Sequence, residues 1–397
     1  MVHEPGIEVF FALLAPEASL YERFFNHREA RWEHRQLCDL LHNNFGVRIH
    51  HLKATLLEEA GEPGPVRDLL VSLAGKRLGD GRRALAVPLG ERDPEHLFRI
   101  IVLNPALGKA REGGVHLLSP LHNLYFMRDQ QAATDRGICL GRMATPERSG
   151  EVVVSSLCLK ALGVEPVHQV GRGRFEGGDF MPAGEFALVA CGSRTSPEGA
   201  RDLFRGGLGF DEVAVVSEPR HPLISGRDHM VNMHLDTYLN FPKEGVAVGN
   251  PDLLRGAKVT VYRREDNSYT RAGAGGNLME YLAGRGIELI PITTLEQLCY
   301  STNFLCVRGG ACITPDASSL AAIVLRRLGE KASAHPAKYG RLLSQAEHDY
   351  QNLKTESEFF PHKREVYAHG LEMTPAILTN ATGGYGGAHC MTCVIAR

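Results

Sequence analysis

Short apolar segments with the character of buried strands recur along this chain, and segments with helical spacing separate them. The strands expected after residue 115 are 117–118, 137–140, 185–191, 212–216, 259–262, 288–292, 304–307 and 311–314. The helices expected between them are 151–162, 197–205 and 277–284. Repeated alternation of this kind predicts an α/β fold. At 397 residues the chain has room for two domains or for one large closed α/β unit.

The N-terminal third has a different pattern. Residues 7–14 are expected to form a buried strand and 47–52 a second one, with a helix over 19–44 that Gly46 ends. Residues 56–107 show helical apolar spacing and little strand character, which predicts a helical insert over 54–113. Near the other end, 331–355 is polar and helix-like, within an excursion over 329–367 that we expect at the surface.

Composition excludes several classes of function. Lys and Arg number 44 against 46 Asp and Glu, so the chain lacks the basic excess of a nucleic-acid binder. It has no run of 18 apolar residues, which argues against a membrane span, and its first residues do not resemble a signal peptide. Nine cysteines, an odd number, fit reduced thiols better than a disulfide framework, so we expect a cytoplasmic protein.

Three segments carry chemically useful side chains. A glycine-dense segment, 383–387, is followed three residues later by Cys390; 175–180 contains two carboxylates around a Gly-Gly pair; and 234–237 contains a histidine and an aspartate. Together they supply a nucleophile, a proton carrier and carboxylates, which is the set needed to attack a planar cationic carbon such as that of a guanidinium. If 234–237 lies on a strand, His234 and Asp236 project from the same face.

Each signal is weak alone. A cysteine in such a context is usually an unreactive buried thiol, a His-x-Asp sequence is often a structural pair, and Glu-Gly-Gly is often a turn. Cys390 and Cys393 form a C-x-x-C beside His389, but no second ligand pair has zinc spacing, so we expect no metal site. The three segments gain weight from their occurrence together.

With a fourth segment, 123–129, they carry a family resemblance. The sequences Asn-Leu-Tyr-Phe-Met-Arg-Asp at 123–129, Phe-Glu-Gly-Gly-Asp at 175–179, His-Leu-Asp-Thr at 234–237 and Gly-Gly-Ala-His-Cys-Met at 386–391 resemble those of the arginine deiminases. An early helix around 29–34 and the helical insert extend the likeness. The resemblance implies a five-bladed α/β propeller, the pentein fold, built of ββαβ-type units around a central pocket. Residues 1–397 would then be one catalytic domain carrying the insert.

The resemblance also implies roles for particular residues. Cys390 would be the nucleophile, His234 the general acid and base, and Glu176 the residue that orients it. Asp129 and Asp236 would hold the guanidinium nitrogens. The residues expected to contact the rest of the substrate are Asn123, Arg148, Arg194 and Asp179, with the two arginines placed at the substrate α-carboxylate.

The implied reaction converts L-arginine to L-citrulline and ammonia through a covalent thiouronium on the cysteine, without a metal or organic cofactor. The implied partner is a small-molecule guanidine, and whether the chain forms a homo-oligomer is left open. Departures from the family pattern, such as Gln130 and the glycine-rich sequence at 383–387, leave the substrate open. The alternatives are an arginine dihydrolase, a modified-arginine deiminase, an amidinotransferase, and a binding protein of the same fold without turnover.

Overall fold

The computed structural model describes residues 1–14, 16, 19–79, 86–107, 115–117, 120–266 and 268–395, which form a mixed α/β fold. The helices are α1 (Ile7–Ala12), α2 (His27–Phe45), α3 (Leu52–Glu59), α4 (Pro65–Leu78), α5 (Pro94–Leu103), α6 (Ser149–Ala161), α7 (Pro197–Arg205), α8 (Pro251–Gly256), α9 (Leu278–Gly284), α10 (Thr294–Leu298), α11 (Ala317–Ala334), α12 (Pro336–Glu356) and α13 (Arg364–Ala368). The strands are β1 (Pro105–Leu107), β2 (Val115–Leu117), β3 (Gln131–Thr134), β4 (Gly137–Leu140), β5 (His168–Gln169), β6 (Phe180–Ala183), β7 (Phe186–Cys191), β8 (Glu212–Ser217), β9 (Leu239–Lys243), β10 (Val246–Gly249), β11 (Lys258–Glu265), β12 (Ser268–Asn277), β13 (Glu288–Pro291), β14 (Leu305–Arg308), β15 (Ala311–Pro315) and β16 (Glu372–Ala376).

One strand arrangement occurs four times in these residues. Two consecutive strands pair antiparallel, and the second then pairs parallel with a third strand that the chain reaches through at least one helix. The four units are β3-β4-β5, β6-β7-β8, β9-β10-β13 and β14-β15-β16. A parallel partner requires such a crossover, so each unit has the ββαβ pattern that the resemblance implies. The hairpin β11-β12 widens the second unit's sheet to five strands.

Single-residue bridges at the N-terminus follow the same pattern. Val2 pairs antiparallel with Thr392 and parallel with His51, and α2 lies between Val2 and His51 in the chain. The Val2 amide donates to the His50 carbonyl at 3.0 Å. The two ends of the described chain therefore meet beside each other, although its strands form separate sheets and not one closed sheet.

Apolar contacts join each helix layer to its sheet. In the second unit, Leu203 and Phe204 of α7 pack with Val189 of β7 and Val213 of β8. The helices α3, α4 and α5 contribute side chains to one buried cluster that also includes residues of α6 and Leu140 of β4. The helical N-terminal region is thus built onto the first unit through a common core.

Most predicted elements after residue 120 overlap observed ones. The strand over 137–140 and the helix over 197–205 have the expected bounds, and the other expected strands and helices overlap β7, β8, β11, β13, β14, β15, α6 and α9. Residue 117 ends β2, whereas 118 lies outside the described residues. The insert is helical over α3, α4 and α5, and its residues 80–85 and 108–113 lie outside the described part.

Both N-terminal strand predictions were wrong. Residues Ile7–Ala12 form α1; the buried apolar side chains are Val9 and Ala12 of the helix and Leu13 directly after it. That 3-and-4 spacing belongs to a helix, and the short apolar run concealed it. Over 47–52 only His51 makes a bridge, because α3 begins at Leu52.

The helix expected over 19–44 begins later, at His27. The side chain of Asn26 accepts hydrogen bonds from the amides of Arg28 and Glu29, which fixes the start of α2 at that point. Gly46 ends the helix as expected, with a φ of 65° in the left-handed region.

The polar stretch expected at the surface is part of a helical hairpin, α11 and α12. Leu320, Val324 and Leu328 of α11 are buried at four-residue spacing and join a cluster with Leu342 and Ala346 of α12. The hairpin therefore contributes an apolar stripe to the core as well as a polar outer face. None of the helices in the described ranges has an apolar stretch long enough to cross a membrane.

Candidate active site

Most of the predicted site residues lie in segments that precede the first strand of a unit, whereas Arg148 and Arg194 follow the second strand of a unit. Asp129 comes two residues before β3, Asp179 comes immediately before β6, and Asp236 comes three residues before β9. Cys390 comes two residues before Thr392, which pairs with Val2. Because these are equivalent positions of a repeated unit, segments far apart in sequence meet in one place.

His234 and Glu176 form a buried pair. The imidazole Nε2 lies 2.7 Å from Glu176 Oε2, and Nδ1 lies 3.8 Å from Asp129 Oδ1. Burial alone lowers the pKa of the imidazole, but the charges of Asp129, Glu176 and Asp179 outweigh it and raise the pKa of His234 to about 10. At neutral pH the free site therefore holds an imidazolium, which can donate a proton.

Glu176 is held as a carboxylate. Burial opposes its charge, yet Arg194, His234 and Arg148 keep the pKa of Glu176 well below its usual value. Its Oε1 accepts a hydrogen bond from the Ala144 amide at 2.8 Å, while Arg194 Nε lies 3.8 Å from Oε2. The carboxylate can thus orient His234 without taking up its proton.

Asp179 contacts the backbone of its neighbours. Its Oδ1 accepts from the Leu235 amide at 3.1 Å and its Oδ2 from the Thr195 amide at 3.2 Å. These bonds tie the segment of His234 to the segment of Arg194. Asp179 therefore sits where it can position two other residues of the site, and both of its oxygens already accept.

Arg148 lies in the site, paired with the chain's own carboxylates. Its Nη1 is 2.9 Å from Asp129 Oδ2 and 3.9 Å from Glu176 Oε2, and its Nη2 is 2.9 Å from Glu151 Oε2. Burial raises the pKa of Glu151 to about 7 even beside this arginine. To reach a substrate carboxylate, Arg148 would have to give up part of this network, whereas Arg194 would not.

Cys390 is buried and is held by an amide side chain. Asn303 Nδ2 lies 3.1 Å from its Sγ, and Asp236 Oδ2 lies 3.4 Å from the same sulfur. Burial, followed by the charges of Asp236 and Asp129, raises the pKa of the Cys390 thiol well above its usual value. The free site thus keeps a protonated thiol, and a bound cation is needed to favour the thiolate.

His234 and Asp236 do not lie on a strand as expected. Leu235–Thr237 forms a 3-10 turn before β9, so the two side chains meet different partners. Asp236 Oδ2 is 2.8 Å from His389 Nδ1. Burial and then Arg128 lower the pKa of His389, which favours a neutral imidazole beside this carboxylate. Burial opposes the charge of Asp236, but the hydrogen bond with His389 helps to keep its pKa low.

The two carboxylates whose charges act on the Cys390 thiol each have one buried oxygen without a hydrogen bond within the described chain. These oxygens are Asp129 Oδ1 and Asp236 Oδ1. A buried acceptor without a donor costs about 1–3 kcal/mol, so a ligand that donates to it gains that free energy on binding. Both oxygens belong to residues whose charges act on Cys390, and both suit the N–H donors of a cation.

One cluster has the composition of a metal site. Ligand atoms of Asp129, Glu176 and His234 lie within 4.8 Å of one another. However, Arg148 and Arg194 already stand against the same two carboxylates, at 2.9 and 3.8 Å. A metal ion would have to displace these guanidinium groups and the proton on the imidazole.

A small cavity connects the predicted residues. Its volume is about 10 Å³, room for roughly one water molecule. The predicted residues that line it are Asn123, Asp129, Arg148, Arg194, His234 and Cys390. Glu176 and Asp236 contact members of this set, and Asp179 accepts from the amides next to His234 and Arg194, so all nine predicted residues gather here. An arginine-sized ligand requires the surrounding segments to open.

Three contributors were missed from the sequence: Asn303, His389 and Glu151. Asn303 had a usable signal, because Ser301-Thr302-Asn303 is a polar triplet that ends two residues before β14, and Asp129 and Asp236 come two and three residues before β3 and β9. Glu151 and His389 gave no comparable signal, since their roles depend on partners distant in sequence.

Comparison with known proteins decides the family. The sequence model described as arginine deiminase matches residues 104–397. The chain belongs to the arginine deiminase family. This confirms the resemblance carried by the four segments. Relatives within this family include the arginine deiminase of Halobacterium salinarum, 25% identical over 371 residues covering 73% of this chain and 76% of that one. The arginine deiminase of Rhodococcus erythropolis is 24% identical over 302 residues, with coverage of 69% and 72%.

Some solved structures of other proteins are also similar to this chain. DDAH from Pseudomonas aeruginosa, complexed with citrulline, is 16% identical, with a TM-score of 0.41 and coverage of 68% of this chain and 76% of that one. The ternary complex of AgrE with ornithine and NAD⁺ is 15% identical, with a TM-score of 0.46 and coverage of 70% and 31%.

Proposed function

We propose that this protein hydrolyses the guanidinium group of L-arginine to L-citrulline and ammonia through a covalent adduct on Cys390. The observation that carries the proposal is the pair of unsatisfied buried oxygens, Asp129 Oδ1 and Asp236 Oδ1, whose carboxylates act on the same thiol. Family membership and the arginine deiminase relatives support the choice of substrate.

Binding of the cation prepares the nucleophile. The guanidinium N–H groups would satisfy both free oxygens and fix the central carbon against Cys390 Sγ. The carboxylates Asp236 and Asp129 raise the pKa of the thiol in the empty site. A cation between them offsets that field, so substrate binding favours release of the thiol proton to solvent.

Two steps then follow. The Cys390 thiolate forms a C–S bond to the guanidinium carbon, and His234 gives its proton to a departing nitrogen, which leaves as ammonia when the C–N bond breaks. A planar thiouronium remains on the sulfur. His234, now neutral, takes a proton from water, whose oxygen bonds to the carbon, and the C–S bond breaks to give the ureido product. Glu176, 2.7 Å from His234, keeps the imidazole oriented through both steps.

Arg194 is suited to the substrate α-carboxylate. Its Nε is buried without a hydrogen bond among the described residues, and its Nη2 contacts only the weak acceptor Met233 Sδ at 3.4 Å. Asn123 Oδ1 is likewise unpaired and lines the same cavity, where it can accept from the α-ammonium. We assign Arg148 chiefly to balancing Asp129, Glu151 and Glu176.

We also propose that the sheets form a five-bladed propeller. Four ββαβ units supply four blades, and the bridges of Val2 with Thr392 and His51 have the strand directions of a fifth. In that arrangement α2 is the helix of the fifth blade. Each blade then presents a polar segment before its first strand, ending in Asp129, Asp179, Asp236, Asn303 and Cys390.

Product analysis tests the reaction. The purified protein is incubated with L-arginine, agmatine and N-methylated arginines, and the products are identified by mass spectrometry with an ammonia assay. We expect citrulline and ammonia in equal amounts from L-arginine. Ornithine with two ammonias would indicate a dihydrolase, and an amidinated amine an amidinotransferase. If none of these guanidines gave a product, the result would favour a binding protein without turnover.

The covalent step has its own test. Acid quenching during turnover, followed by peptide mapping, should show a thiouronium adduct on the peptide that contains Cys390. Cys390→Ser should lose both adduct and turnover, while the matched control Cys191→Ser, in a half-buried cysteine at the end of β7, should keep both. Turnover by Cys390→Ser would remove the nucleophile from the mechanism.

A further inference from the structure

A second and larger cavity lies behind the segment that carries the nucleophile. Its volume is about 640 Å³, within the range of roughly 300–1,000 Å³ typical of small-molecule sites. Residues of β3, β6, β9 and β14 line it, together with 47–49 and 392–395. It is therefore enclosed by the first strands of the four units and by the segments that meet at Val2.

Much of the wall is apolar. Phe180, Phe210 and Phe241 are buried aromatic residues in the lining, and Val307 and Ile395 add aliphatic surface. Pockets that bind organic molecules are mostly apolar, with a few placed polar groups that fix the ligand. The polar group that stands out here is Arg128.

Arg128 is a buried cation that has no counter-ion among the described residues. Its side chain is 9% exposed and lines the cavity, and its Nε donates to the His389 carbonyl at 3.3 Å. No carboxylate of the described residues lies within ion-pair distance of it. Arg148, which is also buried, has three carboxylates within 3.9 Å. A buried charge left unpaired is costly, so Arg128 is suited to an anion from outside the chain.

The remaining charges favour the same ligand class. Besides Arg128, the lining includes the cationic side chains of Arg48, Lys243 and Arg308, against the two carboxylates of Asp135 and Glu244. Cations in excess around a low-dielectric cavity attract anions and repel cations. This is the reverse of the small cavity at Cys390, where carboxylates await a cation.

We propose that this cavity binds a small organic anion, whose carboxylate pairs with the Arg128 guanidinium and whose apolar body packs on the phenylalanine rings. A guanidinium fork and a carboxylate match in geometry and charge. The Arg128 amide also donates to the Cys390 carbonyl at 3.0 Å, so the ligand would sit directly behind the nucleophile segment. The site is distinct from the proposed substrate site and does not depend on turnover.

Calorimetry on the purified full chain tests the ligand class. Octanoate is the probe. Octanol and octylammonium, which have the same chain length but a neutral and a cationic head group, are the comparison ligands. We expect octanoate to bind at one site and at least about tenfold more tightly than either, the ratio expected from one charge-assisted pair. No binding of octanoate at millimolar concentration, or equal binding of all three, would overturn the proposal.

Variants locate the site. Arg128→Met should weaken octanoate binding about tenfold or more and leave octanol within about threefold, while the matched control Arg308→Met, at an exposed cation of the lining, should change neither by more than about threefold. If Arg128→Met does not fold, a second variant, Val307→Trp, tests the location of the site. The tryptophan side chain would fill the cavity from its wall, so this variant should bind neither octanoate nor octanol. Unchanged octanoate binding in Val307→Trp would place the ligand elsewhere.

Discussion

Asn303 holds Cys390 through both ends of its carboxamide. Its Oδ1 accepts from the Cys390 amide at 3.0 Å and from the Gly387 amide at 2.7 Å, and its Nδ2 lies 3.1 Å from the Cys390 sulfur. One side chain thus fixes the backbone of the nucleophile segment and supplies a donor to the thiolate. A donor to sulfur favours the charged form, against the carboxylate of Asp236 on the other side.

Two substitutions at Asn303 separate these effects. Asn303→Asp keeps an oxygen for the two amides but places a carboxylate near the sulfur, so we expect slower alkylation of Cys390 by iodoacetamide and lower kcat, with a thermal transition close to that of the native chain. Asn303→Ala removes the backbone anchor too, and should lower kcat by about 100-fold, the cost of misplacing a reacting group. Native alkylation rates in Asn303→Asp would show that the amide only shapes the segment.

The pKa of His234 can be measured directly. With a folded-state pKa near 10, its imidazole should stay protonated at pH 8 in ¹³C/¹⁵N-histidine NMR spectra of the ligand-free protein. Glu176→Gln removes a carboxylate 2.7 Å away, so the pKa should fall by about one unit or more, or ~1.4 kcal/mol. A His234 that titrates near pH 6.5 in the native protein would contradict the assignment.

The same shift predicts a pH dependence of stability. Because the folded pKa of His234 lies above the unfolded value near 6.5, its contribution is complete below that value and is lost as pH rises toward 10. Between pH 7 and 10 the unfolding free energy of the native chain should therefore fall more steeply than that of His234→Gln. Urea titrations at several pH values check this, and parallel slopes in the two proteins would argue against it.

Arg194 should act on substrates that have a carboxylate. Its guanidinium lacks a carboxylate hydrogen bond in the site, so Arg194→Ala should raise the KM for L-arginine strongly, by about tenfold or more for one lost charge-assisted pair. Agmatine, which has no carboxylate, should be turned over about as well by the variant as by the native enzyme. If the variant lost activity equally with both substrates, the role of Arg194 would be to pair with Glu176 and not to bind the substrate carboxylate.

Arg148 is expected to act on stability more than on substrate affinity. Arg148→Met leaves Asp129, Glu151 and Glu176 without their shared cation, which should cost about 3–5 kcal/mol of unfolding free energy at pH 8. The loss should shrink at pH 6, because a buried carboxylate whose pKa is raised, such as Glu151, binds a proton in the folded state. The control Arg142→Met, at an exposed arginine bound to the Gly171 carbonyl, should change stability by about 0.5 kcal/mol or less.

The sequence predicted the repeated strands well because each is an apolar run bounded by glycine or polar residues. It failed at Ile7–Ala12 because a short apolar run does not distinguish a strand from a helix until its burial is known. The predicted site residues with a thiol, an imidazole or a carboxylate lie in the four sequence motifs, whereas Asn303, Glu151 and His389 were not predicted as site residues. An amide signals no chemistry by itself, and its role arises only when β14 comes beside the segment of Cys390.

We expect entry to the site to pass Leu20 and Tyr385, which line two neighbouring cavities. Both have positive φ, 58° and 70°, and both line the small cavity at Cys390 and an outer cavity of about 420 Å³. A side chain at positive φ stores about 1–3 kcal/mol, as in segments that move on binding. Tyr385→Ala should speed alkylation of Cys390 by iodoacetamide several-fold, read by peptide mass spectrometry, because a side chain is lost from the wall between the cavities. Alkylation of the half-buried Cys191 in the same samples is the control and should not change. Equal Cys390 rates in the native and variant chains would place the entrance elsewhere.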